Sequence, residues 1–415
     1  MGAACEERLR AVPWSALAGV AAALDAPLEE VLAGASAERV LDRTLRCHRD
    51  LAAAARRAVA EAIFGVGLWR RRLAFHAGPD APARVLLASL LRDLGGVADA
   101  ERLVGLAPGA LPPPRAAPAE LGVRYSLPPW LFDTLRLEAG AEAEALADAL
   151  DQPGPVCLRA NTLRATPPEL ARRLAEEGVA TRPGRLVPAC LLVTSPRPNV
   201  HGLRTWRDGA FEVQDEGSQL VAALVEARPG DSVLDLCAGA GGKSLALAAA
   251  VGASGRVHAT DADARRLERL GRRAERAGAA GIVRIHGSSV PPGLVADRAL
   301  VDAPCSELGA LRRGPDLRFR IDPASFSGLP PIQAALLARA AAHLREGGRL
   351  AYATCTFRRE EDEAVAVAFE RDHPGFVRVV PALSGAAATS EGFIRTWPHR
   401  HGCDGFFAAV WEKAR

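Results

Sequence analysis

Lysine is almost absent from this chain. Of its 52 Lys and Arg residues only Lys243 and Lys413 are lysines. Where a lysine survives inside a glycine-rich stretch, compositional drift is a poor explanation. No run approaches the roughly 18 uninterrupted apolar residues of a membrane span, so no membrane association is expected. The first residues, MGAACEERLR, lack an apolar leader core, which argues against a secretory signal and makes the cytoplasm the expected compartment. The eight cysteines, at 5, 47, 157, 190, 237, 305, 355 and 403, include no Cys-x-x-Cys pair. A Cys-only zinc or dithiol site is therefore not expected, and no metal is assigned. Nor is one sign of charge in excess: 52 basic against 49 acidic residues leaves +3, too little to argue for nucleic acid alone. What is present is ordinary globular composition, 49% hydrophobic and 24% charged, which excludes a mainly disordered, collagen-like or coiled-coil chain. At about 150 residues per domain, 415 residues predict two or three domains.

The first part reads as helical. In LAAAARRAVAEAIFGVGLWRRRLAF, Leu51, Ala55, Ala58, Val59, Ala62, Ile63 and Val66 share one face. A second apolar helix, ARVLLASLLRDLGG, stops at Gly95-Gly96, and the proline-rich APGALPPPRAAPAE follows as a linker. A domain 1–120 is drawn from this. A small α/β unit, 121–209, follows: the strand PVCLRA, then a helix begun by Thr166-Pro-Pro-Glu169 in capping-box spacing and ended at Gly178. From 210 to 415 strands and helices alternate. The strands are DSVLDLC, RVHATD, GIVRIHG, RALVDAPCS, RLAYATC and GFFAAVWEK, with helices in KSLALAAAV, around Leu267, Leu270 and Ala274, and through QAALLARAAAHLREGG. This predicts an α/β, doubly wound (Rossmann-like) sheet with ligands beyond the carboxyl ends of its strands.

The loop Cys237-Ala238-Gly239-Ala240-Gly241-Gly242-Lys243 joins the first strand of that sheet to a helix. Glycines there let the backbone approach a ligand closely. Asp261 closes the next strand, 20 residues beyond Gly241, where an acid can bind two ribose hydroxyls. The loop is also a near miss to a phosphate-binding P-loop. However, Cys237 stands where the first glycine belongs, and Asp235 and Asp261 would repel a polyphosphate. A cationic sulfonium tolerates that charge, so S-adenosylmethionine is the expected cofactor.

Two thiols, in Asp302-Ala-Pro-Cys305 and Thr354-Cys355-Thr356, end two further predicted strands. Carbon C5 of cytosine is a poor nucleophile. A thiolate adding to C6 makes C5 reactive enough to attack a methyl group. Protonation of ring N3 assists the addition, and Asp302 suits that role. A base must then remove the C5 proton before the thiolate departs. Chemistry alone does not choose between the cysteines.

FEVQDEGSQL, LDLCAGAGGKS, VDAPCS, RRGPDLRF, YATCT and HRHGCDGFF, in that order, resemble the RNA 5-methylcytosine methyltransferases of the RsmB (Fmu, Sun) type, which modify bacterial 16S ribosomal RNA. The resemblance covers nearly the whole chain. It implies a class I S-adenosylmethionine methyltransferase domain preceded by a small α/β RNA-binding unit and an all-helical, NusB-like N-terminal domain. It implies Cys355 as nucleophile, Cys305 in product release and Asp302 on the target cytosine. It further implies Cys237 to Lys243 lining the cofactor loop, Asp261 on its ribose and Asp302 beside it. The partner would be RNA, 16S rRNA by the resemblance, with no DNA and a monomeric protein. Three positions depart from the family pattern: Gly239-Ala240 for Ala-Pro, Ser288 for an acid, and Ser306-Glu307-Leu308-Gly309 for a Gly-Thr-Gly type turn. These departures motivate the rival of a non-catalytic RNA-binding or assembly protein with a relict fold; GGKS motivates a second rival, an NTPase. Arg159, Arg164, Arg312, Arg313, Arg318 and Arg320 are candidate phosphate contacts, and His399, His401 and Cys403 lack a fourth metal ligand.

Overall fold

The computed structural model describes residues 3–195 and 198–415. The chain divides into two compact units, Met1–Pro153 with Leu311–Pro323, and Gly154–Ala310 with Ala324–Arg415. Neither 120/121 nor 209/210 is a unit boundary. Residues 121–151 are helical and fall in the first unit.

The described residues of the first unit form helices only. The helix Ala53–Ala77 buries Ala55, Ala58, Val59, Ala62, Ile63 and Val66 of the stripe read from the sequence, while Leu51 lies before the helix and is half-buried. The next helix, Ala83–Ser89, runs into a π-helical turn, Leu90–Leu94, that stops at Gly95. The proline-rich stretch forms neither helix nor strand. The segment 311–323 is built into this unit by an internal ion pair. Arg318 and Asp151 both have side chains 0% exposed, with Nη1 donating to Oδ1 at 2.7 Å. Arg318 also donates to the carbonyls of Tyr125 and Leu150. Burial pushes the Asp151 carboxyl up to about 6 even against the pull of Arg318. Arg318 is therefore a structural residue and not a phosphate contact.

The second unit carries two sheets. The smaller is antiparallel, in the order β2-β3-β1-β4, from β1 (Cys157–Ala160), β2 (Thr181–Pro183), β3 (Cys190–Val193) and β4 (Phe211–Val213). Against it lies the helix Pro167–Glu176, which buries Leu170 and Leu174. Its capping box is made: Glu169 Oε2 accepts from Thr166 N at 2.8 Å, and Glu169 N donates to Thr166 Oγ1 at 3.5 Å.

The larger sheet contains β5 (Ser232–Asp235), β6 (Arg256–Ala259), β7 (Val283–Ile285), β8 (Ala296–Asp302), β9 (Leu344–Thr354), β10 (Phe376–Arg378), β11 (Ile394–Thr396) and β12 (Phe406–Lys413). Its order is β10-β12-β9-β8-β5-β6-β7, with β11 on β12. The strands from β9 to β7 are parallel, while β12 runs antiparallel to β9 and β10 antiparallel to β12. After β5 the chain moves outward to β6 and β7, then returns to β8 on the other side of β5. The order reverses there, so the ends of β5 and β8 flank the crevice in which such sheets bind ligands. LREGG is not the tail of a helix: that helix ends at Ala342, and Leu344 opens β9 by pairing with Ala296. An irregularity between this pair and Arg298–Arg349 takes up the extra residues, with Gly347 at φ +68°.

Two other arginines read as phosphate contacts are also internal. Arg159 is buried and donates to Gln214 Oε1 at 2.7 Å, and Arg312 is buried as well. Arg164, Arg313 and Arg320 are exposed.

Arg318→Ala leaves Asp151 buried without its cation. The expected loss is about 3–5 kcal/mol of stability in the first unit, measured by urea unfolding of the full chain. A loss below about 1 kcal/mol would mean the pair is not the buried tie described.

Candidate active site

A cleft of about 1110 Å³ opens at the carboxyl ends of β5, β6 and β8. Every candidate site residue from the sequence except Gly241 lines it: Cys237, Ala238, Gly239, Ala240, Gly242, Lys243, Asp261, Asp302, Cys305 and Cys355. Gly241 sits behind the lining as the N-cap of the helix Gly242–Val251, at φ +88°. Its conformation is left-handed, and a Cβ there would come within 2.1 Å of Leu270 Cδ1. Both facts require glycine at this position.

The loop is fixed by carboxylates. Asp261 Oδ2 accepts from Gly239 N and Oδ1 from Asp263 N, each at 2.8 Å. Its orientation is thus set by backbone amides, and each oxygen keeps a lone pair for a diol. Beneath the loop, Ser244 Oγ donates to Asp235 Oδ2 at 2.6 Å. Burial pushes the Asp235 carboxyl up to about 7, and Oδ1 has no partner among the described residues. Arg273 Nη1 donates to Ala240 O at 2.7 Å while Nη2 pairs with the buried Glu212 at 2.9 Å. Ser288 faces the same cleft.

Lys243 does not behave as a phosphate lysine. Its Nζ donates to Asp302 Oδ2 at 2.6 Å and lies 5.2 Å from the centroid of the Phe406 ring. Burial would lower the ammonium, but Asp302 outweighs it and holds Lys243 above its ordinary value. With that ammonium already neutralised, the loop lacks the free cation a polyphosphate needs.

The two thiols meet. Cys305 Sγ and Cys355 Sγ are 3.5 Å apart, and Cys355 N donates to Cys305 Sγ at 3.3 Å. Hydrogen bonding to Cys305, then burial and the nearby Asp302 charge, raise the Cys355 thiol well above its ordinary value. Burial pushes Cys237 up to about 12. Cys355 is therefore a neutral thiol at rest and needs deprotonation before it can add to anything.

Several residues of this rim went unread in the sequence. Glu361, wholly buried, accepts from Ser306 N at 2.9 Å and from Gln333 Nε2 at 3.1 Å; Gln333 also donates to Pro304 O at 3.0 Å. Asp362 accepts from Thr354 Oγ1 at 2.5 Å and pairs with Arg395 at 2.9 Å. Two motifs are joined through glycine: Gly405 N donates to Gly309 O at 2.9 Å, and a Cβ on Gly309 would strike Gly405 O at 2.1 Å. Asp215 Oδ1 accepts from both Gly217 N and Asp404 N, which ties FEVQDEG to HGCDG. The acidic residues of REEDE and FEVQDEG were the available signal, yet charge runs normally read as solvated surface. His401 Nδ1 accepts from Trp397 N, Cys403 is buried, and the described residues hold no cluster of three or more metal-ligating side chains. No described helix is long and apolar enough to cross a membrane.

Comparison with known proteins gives a consistent picture. Residues 222–412 match the family model described as 16S rRNA methyltransferase RsmB/F, and residues 127–200 match an RsmF/B-like ferredoxin-like domain. The chain is 35% identical to the probable ribosomal RNA small subunit methyltransferase B of Synechocystis sp. over 71% of this chain and 68% of that one. It is 34% identical to ribosomal RNA small subunit methyltransferase B of Thermus thermophilus over 71% of this chain and 67% of the other. Among solved structures, PH0851 superposes with a TM-score of 0.77 at 25% identity, covering 98% of this chain and 99% of that one.

The raised Cys355 thiol predicts its alkylation. Thiolate is the reactive form, so the iodoacetamide rate at Cys355 should climb about tenfold per pH unit from pH 7 to 9 without levelling. Removing the hydrogen bond to Cys305 in Cys305→Ala should accelerate it at pH 7. Peptide mass spectrometry reads both; a rate already level below pH 8 contradicts the assignment.

Proposed function

The chain belongs to the 16S rRNA methyltransferase RsmB/F family, and from that premise we propose that it methylates C5 of a cytosine in small-subunit ribosomal RNA through a Cys355–C6 covalent bond. The observation that carries this reading is the pair of thiols 3.5 Å apart beside the Lys243–Asp302 pair, all on one cleft.

S-adenosylmethionine is the cofactor of this family, and the residues of the cleft suit it. The oriented Asp261 carboxylate is set to accept from a ribose diol, and the backbone from Cys237 to Gly242, with Ser288, lines the space beside it. When bound, the cofactor supplies the transferable methyl group and a positive sulfonium charge. The chain's own residues do the rest. Cys355 gives its S–H proton to the Asp302 carboxylate on the same cleft and adds through sulfur to C6 of the pyrimidine. Asp302 holds cytosine N3 and hands it a proton, which the Lys243 ammonium at 2.6 Å can replace. Cys305 Sγ, next to the new bond, assists departure of the Cys355 sulfur. Glu361, anchoring Ser306 N and Gln333, keeps the Cys305 loop in position. The ferredoxin-like domain and the helical unit, NusB-like in this reading, supply the RNA-binding surfaces.

With 16S rRNA and labelled S-adenosylmethionine, Cys355→Ala should lose methyl transfer entirely. Cys305→Ala should still bond to RNA and accumulate a protein–RNA adduct on a denaturing gel. Full activity of Cys355→Ala with loss in Cys305→Ala would reverse the two roles. Lys243→Met should cost roughly a hundredfold or more in turnover, the scale of a lost proton-transfer partner. Bisulfite mapping of the product RNA identifies the base and carbon.

A further inference from the structure

The mechanism above leaves one proton without a destination. After methylation C5 carries both the new methyl and its original hydrogen, and the product cannot leave until that hydrogen goes. Asp302 Oδ2 is occupied by the Lys243 ammonium, and the Cys305 sulfur already takes the Cys355 N–H.

Glu307 stands two residues beyond Cys305 on the same cleft as Asp302, Cys305 and Cys355. Its φ is +59°, in the left-handed region. A glutamate gains nothing locally from that conformation, which is disfavoured in any non-glycine residue. The turn is clamped on both sides: Ser306 N is held by Glu361 at 2.9 Å, and Gly309 N donates to Cys355 O at 2.9 Å. Leu308 is wholly buried. The strain is thus imposed by the loop that carries Cys305, and the exposed carboxylate lines the cleft that the two thiols share. That carboxylate has no hydrogen-bond or ion-pair partner among the described residues, and its charge is felt at the Cys355 sulfur. Being exposed, it can return a proton to water.

We propose that Glu307 is a catalytic residue, the base that takes the C5 proton of the methylated adduct. The C5–H bond breaks and its proton passes to the carboxylate. The bonding pair becomes the C5=C6 double bond. The C6–S bond breaks with its pair on Cys355, and N3 returns its proton to Asp302. This rests on the cytosine-C5 reading above.

The test uses the full chain with 16S rRNA, and Glu307→Gln, which keeps the side-chain shape and the backbone strain. First-turnover methyl incorporation should stay within about threefold, while release of methylated RNA slows roughly a hundredfold. The methylated RNA should accumulate covalently on protein in a denaturing gel. Glu307→Gly, which also relieves the strain, should behave the same way. Release at the unchanged rate in either variant overturns the proposal, as does loss of first-turnover methylation in both. RNA carrying 5-fluorocytosine separates the two readings, because fluorine cannot leave as a proton does. If the unaltered protein forms no adduct with it, the cytosine-C5 mechanism itself is wrong. If it forms the adduct and Glu307→Gln releases normal product freely, only the role of Glu307 is.

Discussion

The register between β8 and β9 is the constraint on which the rim depends. Those strands are parallel, and Leu300, Val301 and Asp302 stand opposite Ala351, Tyr352 and Ala353. Each chain leaves the sheet at the same level, so residues 50 apart in sequence, Cys305 and Cys355, emerge side by side. A shift of one residue would turn every side chain of β9 to the opposite face. It would drive the large Leu350 and Tyr352 into the core that now holds the small Ala351 and Ala353, and leave cavities on the other face of the sheet. Hydrophobic burial therefore sets the position of the chemistry.

Loops alone would not keep two thiols within 3.5 Å of each other. Here the carboxylates beneath them do that work through backbone amides and buried pairs. Glu361 holds the Cys305 loop, Asp362 ties the end of β9 to Arg395, and Asp215 fastens residue 404. Buried charges of this kind add little net stability, because desolvation offsets most of the attraction. Their value is geometric: removing one leaves a partner unsatisfied, so the arrangement has few alternatives. The direct backbone contact between Gly309 and Gly405 works in the same direction, since neither chain can retreat.

Much of this was legible in the sequence, and the reason differs by element. The strands around the cleft read correctly because each is a short apolar run closed by an acid, a glycine or a cysteine, as in SVLD and RALVD. The helix after Thr166 was legible because its cap is written in local residue types that need no tertiary information. Local signals failed where tertiary pairing decided. LREGG follows an alanine-rich helix without a break in composition, yet it extends β9 because Ala296 is there to pair with it. Arg159 and Arg318 look like any surface arginine in an arginine-rich chain. Only the fold reveals that Gln214 and Asp151 are waiting for them. The acids of REEDE carry no local sign of their burial for the same reason. The candidate site itself was legible because its glycines, acids and thiols lie on separate strand ends, and parallel sheets gather strand ends.

Lysine scarcity acquires a physical meaning at Lys243. Arginine can replace lysine almost anywhere that only a positive charge is needed, and this chain has made that exchange nearly everywhere. At Lys243 a planar guanidinium would have to fit where a single ammonium donates to Asp302 and rests near the Phe406 ring. It would also be a different chemical tool, since guanidinium does not give up its proton in proteins while an ammonium can. The other survivor, Lys413, donates to the Leu344 carbonyl at 2.8 Å, where β9 begins. One lysine thus secures the start of the strand whose far end carries Cys355, and the other stands beside the acid at the end of β8. Both lysines thus stand where a compact donor meets a specific acceptor, and in one of those places the acceptor is a carboxylate on the cleft that the thiols share.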